Sequence, residues 1–471
     1  LYTLMILESP EVVKLIEKGV SKQMILARKK ALKVNMHITG RNVTDYLEDL
    51  DNYETRGQKI LREKLGKDIR SLFSFILRPL DKIFTAKGGS VHYNLPENTI
   101  EVVKSRLSNI GDGLDIKKWL KKVAKKHYII DPNGVIFMDI DPFGKVETHI
   151  VTTQNIFWYE SKGNVVEAII FAPYKTDKEE DRDKEFFRVI DQKSDRIFVR
   201  GLTKDNEGRE IQSIYEQDIL ENFFGYVPAM IMGDEKNPNE DVYESIISDL
   251  ISDADEMLRD ISVKTVHKLA HAYPKYWSME QACTKCEGEG TIKISDDSEL
   301  GYSETACASC GGDGVKKKAS PSDEIIVRNP IEGEKSAAPH VAGFVSPDLA
   351  TMEFYEKSIE RAKNSMFQAM WGTTYEQGGK RETATGRFLD AQPVQDRLKD
   401  TSETFSKFHK FILDCSVKVI LNDKRYQSSV SYGQRYILEG PDDILDKYME
   451  ASRENVSELG IIDLRNRYFE A

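Results

Sequence analysis

Four of the chain's five cysteines fall in two copies of one pattern, CTKCEGEG at 283–290 and CASCGGDG at 307–314. Each copy reads C-x-x-C-x-G-x-G. Two thiolates at C-x-x-C spacing grip one metal ion from a tight turn, and the glycines let backbone N–H groups approach the sulfurs. Two such knuckles make a closed tetrahedral site, which suits structural zinc. The expected ligands of one zinc ion per chain are therefore Cys283, Cys286, Cys307 and Cys310, with a short hairpin or loop between the knuckles. A closed four-thiolate site leaves no position for water. The metal is expected to hold together an insertion too small to fold alone, and not to catalyse. Cys415 stands apart. Chelating pairs plus one lone thiol fit a reducing, intracellular place of synthesis better than a disulfide framework.

The rest of the composition bounds the class. A chain of 471 residues is too long for one ordinary core, so two or more domains are expected. With 40% hydrophobic and 31% charged residues it can bury a substantial core in water. No apolar run approaches the ~20 residues of a membrane helix, so no membrane partner is expected. The opening LYTLMILESPEVVKLIEKG lacks a basic flank and a small-residue cleavage site, so it does not read as a signal peptide. It also lacks an initiator Met, so a trimmed chain is expected. A net charge of −11 argues against a chain that binds nucleic acid over its whole surface, but leaves room for local basic patches.

Periodicity gives an α+β fold. Residues 1–76 read as helices, in EVVKLIEKGVSKQMILARKKALK and LEDLDNYETRGQKILREKLGKDIRSLFSFIL, and 97–126 continue them. The second of these stretches sets Lys117, Lys118, Lys121, Lys122, Lys125 and Lys126 around Trp119, Leu120 and Val123, which reads first as the solvated face of an amphipathic helix and second as a nucleic-acid face. From 128 to about 230 the period becomes that of antiparallel strands, with DPNG and DPFG as hairpin-like turns. Asp139 and Asp141 touch a calcium-loop pattern there, but Phe143 occupies a ligand slot, so a plain turn is expected. A long helix follows, with Ile246, Leu250, Ala254, Met257 and Ile261 on one stripe. Strand-like AYPKYWSM, the cysteine module and EIIVRNPI come next. A second long helix has Ser346 as N-cap, Pro347 in its first turn and Gly372 as its stop. After a polar loop, a helix kinked near Pro393 runs to about 422 and carries Cys415 on its apolar stripe beside Phe408, Phe411 and Val419, as a packed core thiol. One or two strands at SSVSYGQRYIL and two terminal helices close the chain.

Positive signs of catalysis are missing. There is no G-x-x-x-x-G-K-[ST], H-E-x-x-H or G-x-S-x-G motif, and no carboxylate pairing stands out, so no enzyme is expected. His267 and His271 lie at i, i+4 without a completing carboxylate and read as a surface or interface pair.

Two resemblances add expectations. The CTKCEGEG and CASCGGDG knuckles resemble the zinc repeats of DnaJ-type chaperones, although that family carries four repeats and a His-Pro-Asp signature that this chain lacks. This resemblance speaks for the metal; the function it would imply is a zinc-dependent chaperone or adaptor that binds unfolded clients. The order of elements from 223 to 422 is similar to a siphophage-type portal protein of tailed bacteriophages. FFGYVPAMIMGDEKNPNEDVYESIISDLISDADEML looks like the passage from wing to stem, AYPKYWSM through EIIVRNPI like the clip, SPDLATMEFYEKSIERAKNSMFQAMWG like the returning stem helix, and GTTYEQGGKRETATGRFLDAQ like the tunnel loop and the start of the tunnel helix. The resemblance implies a wing over 1–240 (helical to 127, β-rich over 128–230), a first stem helix over 241–271, and a clip over 272–340 with the zinc module at 283–314 as an insertion. It further implies a second stem helix over 346–371, a tunnel loop over 372–384, a tunnel helix and return over 385–440, and crown helices over 441–471. The implied assembly is a homo-oligomeric ring, usually a dodecamer, put together in the host bacterial cytoplasm and built into the virion at the capsid portal vertex. Its implied partners are the terminase large subunit, head–tail adaptor and tail proteins, the major capsid and scaffolding proteins, and double-stranded DNA passing through the channel. Lys380 and Arg381 in the loop are the expected transient phosphate contacts.

Overall fold

The strand VIFM within Val135–Ile140 is buried at four consecutive positions, which is possible only if both faces of its sheet are covered. The computed structural model describes residues 5–41, 68–141, 144–204, 210–271, 275–279, 281–295, 302–315, 324–327, 342–345, 349–373 and 384–434, together with 56, 59, 60, 64, 436, 448, 449, 462, 464 and 465. The chain forms two compact units. One comprises Leu1–Tyr46, Asp68–Glu256 and Arg361–Ala471, and the other Leu47–Lys67 and Met257–Glu360. The fold is α+β with sheets that are antiparallel except for the β12–β15 pair, and no helix among the described residues is long and apolar enough to cross a membrane.

In the larger unit, α1 (Ser9–Lys18) and α2 (Lys22–Thr39) are separate helices where the periodicity suggests one. Gly19 at φ +83° stops the first, and the Ser21 hydroxyl accepts from the Met24 N–H to start the second. Next come α3 (Arg70–Leu77), a 3₁₀ turn Arg78–Phe84, β1 (Ser90–His92) and α4 (Glu97–Arg106). α5 (Ile116–Trp119), a π-helical turn Leu120–Ala124 and α6 (Lys125–Ile130) then run on continuously. The HYII stretch is thus the end of a helix and not a strand, because Tyr128, Ile129 and Ile130 all bury helical side chains. DPNG joins that helix to the sheet instead of closing a hairpin.

The sheet contains β2 (Val135–Ile140), β3 (Val146–Val151), β4 (Ile156–Lys162), β5 (Val165–Phe171), β6 (Glu185–Ile190), β7 (Ser194–Lys204), β8 (Glu210–Glu221) and β9 (Ala229–Ile231). Its order is β3-β2-β9-β5-β6-β7-β8, with β4 also on β5. Alternate residues serve opposite cores. Ile169 packs with Val135, Phe137 and Met24 of α2, whereas Ala168 and Ile170 pack with Phe187, Val189 and Val12 and Ile16 of α1. Asp139, at the start of the calcium-like run, forms a two-bond ion pair with Arg188 at 2.7 and 2.9 Å. Asp191, wholly buried at the β6–β7 turn, takes the Ser194 N–H at 2.7 Å and the Arg196 guanidinium at 2.8 Å, while Arg196 also donates to the Leu7 carbonyl at 2.6 Å. This network ties the N-terminal segment to the sheet.

A ribbon of β10 (Lys236–Asn237) and β11 (Val242–Tyr243) and a 3₁₀ turn Ser248–Leu250 precede α7 (Ile251–His271). The helix expected over 241–271 therefore starts ten residues later, since Tyr243 is fixed in the sheet core and its N–H is held by Asn133 at 2.7 Å. In the smaller unit, β12 (Lys275–Met279) is followed by the hairpin β13 (Thr291–Ser295) and β14 (Tyr302–Ala306), then β15 (Glu324–Val327) and β16 (Ala342–Val345). β12 pairs in parallel with β15 and antiparallel with β16.

α8 (Leu349–Trp371) ends where Gly372, at φ +67°, donates to the Gln368 carbonyl at 2.7 Å. Trp371 is buried and gives its indole N–H to the Ile76 carbonyl at 2.8 Å. α9 (Ala384–Leu421) carries Pro393 inside it and buries Phe405, Phe408, Ile412, Cys415 and Val417. Phe405 stacks edge-on with Phe84, Tyr128 and Phe408 at 5.2–5.4 Å. β17 (Ser429–Ser431) follows and pairs with β1, so the region read as helical to 127 also holds a strand. The expected crown helices over 441–471 lie outside the described residues apart from a few positions.

Asp131, buried beneath α2, accepts the Thr153 N–H and hydroxyl on one oxygen at 2.7 and 2.9 Å, and its other oxygen has no partner among the described residues. Burial pushes its carboxyl up to about 6, against the pull of the Thr153 donors. Unfolded, it titrates near pH 4. The folded chain thus keeps this proton between about pH 4 and 6 while the unfolded chain releases it, and stability falls as pH rises through that window. Asp131→Asn keeps an accepting oxygen for Thr153 and removes the charge. Thermal melts of the two proteins should coincide near pH 4 and separate above pH 6, the variant being more stable by on the order of 2 kcal/mol. A constant difference across that range would refute the assignment.

Candidate metal centre

The knuckles interlock through their backbones. The Cys283 N–H donates to the Gly314 carbonyl at 2.8 Å, and the Cys307 N–H donates to the Gly290 carbonyl at 2.8 Å. An antiparallel bridge between Ala282 and Val315 extends the first contact. The two halves thus repeat each other at an offset of 24 residues. The β13–β14 hairpin, in register from Thr291↔Ala306 to Ser295↔Tyr302, connects them and sets that relation.

The glycines are steric requirements of this interlock. Gly288, Gly290, Gly312 and Gly314 all sit at positive φ, between +70° and +98°. A Cβ on Gly290 would lie 2.4 Å from the Gly312 carbonyl oxygen, and one on Gly314 would lie 2.4 Å from that of Gly288. Glu287 adopts φ +53° where the second knuckle has Gly311 at +68°.

The four sulfurs converge. All lie within 4.8 Å of one another, buried, and none is in a disulfide. Cys283 and Cys307 sulfurs are 3.9 Å apart and Cys286 and Cys310 sulfurs 3.6 Å. A tetrahedron with metal–sulfur bonds of about 2.3 Å has edges of about 3.8 Å, so the thiols are spaced to hold one ion. Backbone amides of Lys285 and Cys286 donate to Cys283 and lower its pKa to about 6. Burial pushes Cys286 up to about 11, although Gly290 and Gly288 amides donate to it. Cys310 receives the Gly312 and Gly314 amides. N–H donors on sulfur stabilise thiolates, the form that binds metal. Ile292 packs against the cluster. The centre has the donors and closure of a structural site.

The other residues singled out by sequence fare differently. Among the described residues, the four cysteines are the only cluster of three or more metal-capable side chains, so His267 joins none. Cys415 is fully buried 3.2 Å from the Tyr226 hydroxyl, and burial raises its pKa to about 12, which makes it an unreactive packed thiol. Lys380 and Arg381 lie outside the described residues. The alanine before each knuckle escaped the motif reading. A Cβ on Gly288 would lie 3.5 Å from the Ala282 methyl, and one on Gly312 would lie 3.7 Å from that of Ala306, so a larger residue at 282 or 306 would crowd the turn. The repeated ACxxCxGxG text was its signal.

Compared with known proteins, the chain matches no family model and no curated protein.

Gly290→Ala or Gly314→Ala should break the interlock at a strain of about 1–3 kcal/mol or more. Metal analysis after dialysis should find less than half the wild-type metal in either variant. Full retention would mean that the backbone contact is dispensable.

Proposed function

We propose that this chain is the subunit of a ring-shaped portal, the conduit through which a tailed bacteriophage's genome enters and leaves its capsid, and that the cysteine centre holds one structural zinc ion. The observation that carries the portal reading is the path of the chain through the smaller unit. In chain order α7 is followed by β12, and β16 by α8. β12 and β16 pair antiparallel from Lys275↔Val345, so the chain enters and leaves this sheet at neighbouring positions. Lys264, two turns before the end of α7, pairs with Glu356, two turns into α8, at 2.8 Å. In this reading the two long helices with the small β segment between them in the chain, the polar segment and the long helix α9 serve as the stem, clip, tunnel loop and tunnel helix of the portal plan.

In this reading the subunits form a homo-oligomer at the capsid vertex, of twelve copies by analogy. Terminase and then the head–tail adaptor dock on the tip, capsid and scaffolding proteins surround the body, and duplex DNA passes through. The chain is a conduit and not an enzyme. Zinc fits the centre because four thiolates in a closed tetrahedron favour it. Its position in the chain, between α7 and α8, makes it a stiffener of the docking tip. The chaperone or adaptor reading rests on the knuckles alone and expects monomers or dimers.

Negative-stain microscopy of the purified protein decides between them: rings with a central hole are expected, and uniform small particles would end the portal proposal. Metal-replete protein should carry about one zinc per chain; less than half would count against the ion. Cys283→Ser with Cys286→Ser should impair assembly or docking while leaving the larger unit's melting transition in place. Cooperative loss of all structure would instead make the module part of a core.

A further inference from the structure

The helical run from Ile116 to Ile130 is charged on one side in a way the conduit reading does not use. Asp115 is the sole acidic residue in 115–130, against six lysines. Ile116, Trp119, Leu120, Ala124 and Tyr128 are buried, while Lys117, Lys118, Lys122 and Lys126 are exposed and Lys121 is half-exposed. The π turn organises this face. The Lys125 N–H bonds the Leu120 carbonyl, which retards the helix by one residue. Lys125 is thereby turned towards the body, where it pairs with Asp81. Lys126 is brought back over Lys118 and Lys122, instead of rotating off their row as it would on a regular α-helix.

These charges are largely unneutralised. Lys30, Lys33, Lys145, Lys184, Lys236, Lys264 and Lys410 all make ion pairs. On the comb, Lys118 has the half-exposed Asp115 at 2.9 Å, and Lys117 lies over the Tyr432 ring at 5.8 Å. Lys121, Lys122 and Lys126 have no ion pair among the described residues. Like charges at i, i+4 each cost a few tenths of a kcal/mol in a helix, so the row is held at a cost to stability.

We infer that this comb is a contact surface for the phosphate backbone of duplex DNA, independent of base sequence. Lysines one turn apart stand about 6 Å apart along the axis, against one phosphate per about 3.4 Å of each strand, so a row of them tracks alternate charges. Lysine acts as a point charge, which suits contact with backbone phosphates without readout of base edges, where the arginine fork is favoured. The exposed face presents no aromatic or aliphatic anchor of the kind a protein interface needs. The surface is separate in sequence from the loop holding Lys380 and Arg381, and the inference stands whether or not the chain forms rings.

The test is fluorescence anisotropy of the full chain with a short labelled duplex over a salt series. Lys121→Gln, Lys122→Gln and Lys126→Gln together should weaken binding at least about tenfold near 0.1 M salt and flatten the log–log salt slope by about 2 to 3. Replacing the same three with Arg should retain binding, and circular dichroism should show the same helix content in all. A control removing the exposed Lys14, Lys18 and Lys22 loses equal charge and should change the slope little. The inference fails if the wild type does not bind duplex, if both Gln triples lose binding equally, or if the Arg variant fails to retain it. It also fails if polyglutamate displaces the duplex at a lower charge concentration than unlabelled duplex does, which would assign the comb to an acidic protein. Ring formation is read separately by microscopy, so either idea can fail without the other.

Discussion

The central sheet is apolar on both faces, and most of the larger unit follows from covering it. A buried strand cannot leave its N–H and C=O groups or its side chains to water, so each face needs a layer. α2 supplies one through Met24 and α1 the other through Val12 and Ile16. The break at Gly19 and Ser21 lets two successive helices serve opposite sides. The Asp191–Arg196 network secures the segment leading into α1, and Asp131 with Arg28 secures the sheet's contact with α2. Buried charges of this sort contribute position more than net stability, because desolvation offsets much of their attraction.

The smaller unit solves a different problem. Its segments are short, and β13 and β14 alone make a two-stranded hairpin, which is marginal in water. The cysteine centre substitutes for a core. Four sulfurs and the interlocked glycine turns gather the ends of that hairpin, and an ion there would cross-link chain on both sides of it.

Charge is distributed with the same economy. The chain is acidic overall, which limits indiscriminate attraction to nucleic acid. Against that background the proposed lysine row would give a local, salt-sensitive contact. The proposed conduit would need weak and reversible contacts, because tight phosphate binding would act as a brake, and an acidic average with a confined basic face would suit it.

The α+β class, the long helices around the cysteine module, the Gly372 stop and the helix through Pro393 were legible in the sequence, since helical spacing, turn residues and C-x-x-C spacing are local signals. So was the set of four cysteines that gather. Periodicity failed at HYII and at the start of α7. Ile129 and Ile130 are apolar in either structure, and only packing shows that they end a helix. Residues 241–250 carry a helix-like stripe, yet Tyr243 is claimed by the sheet core and Asn133. By itself the sequence determined which residues would gather and roughly where helices and strands alternate. Tertiary structure decided how the two knuckles lock across 24 residues, which sheet face each helix covers and where the lysine row points. Those depend on contacts between segments far apart in the chain and on a single π turn, and neither leaves a periodic trace.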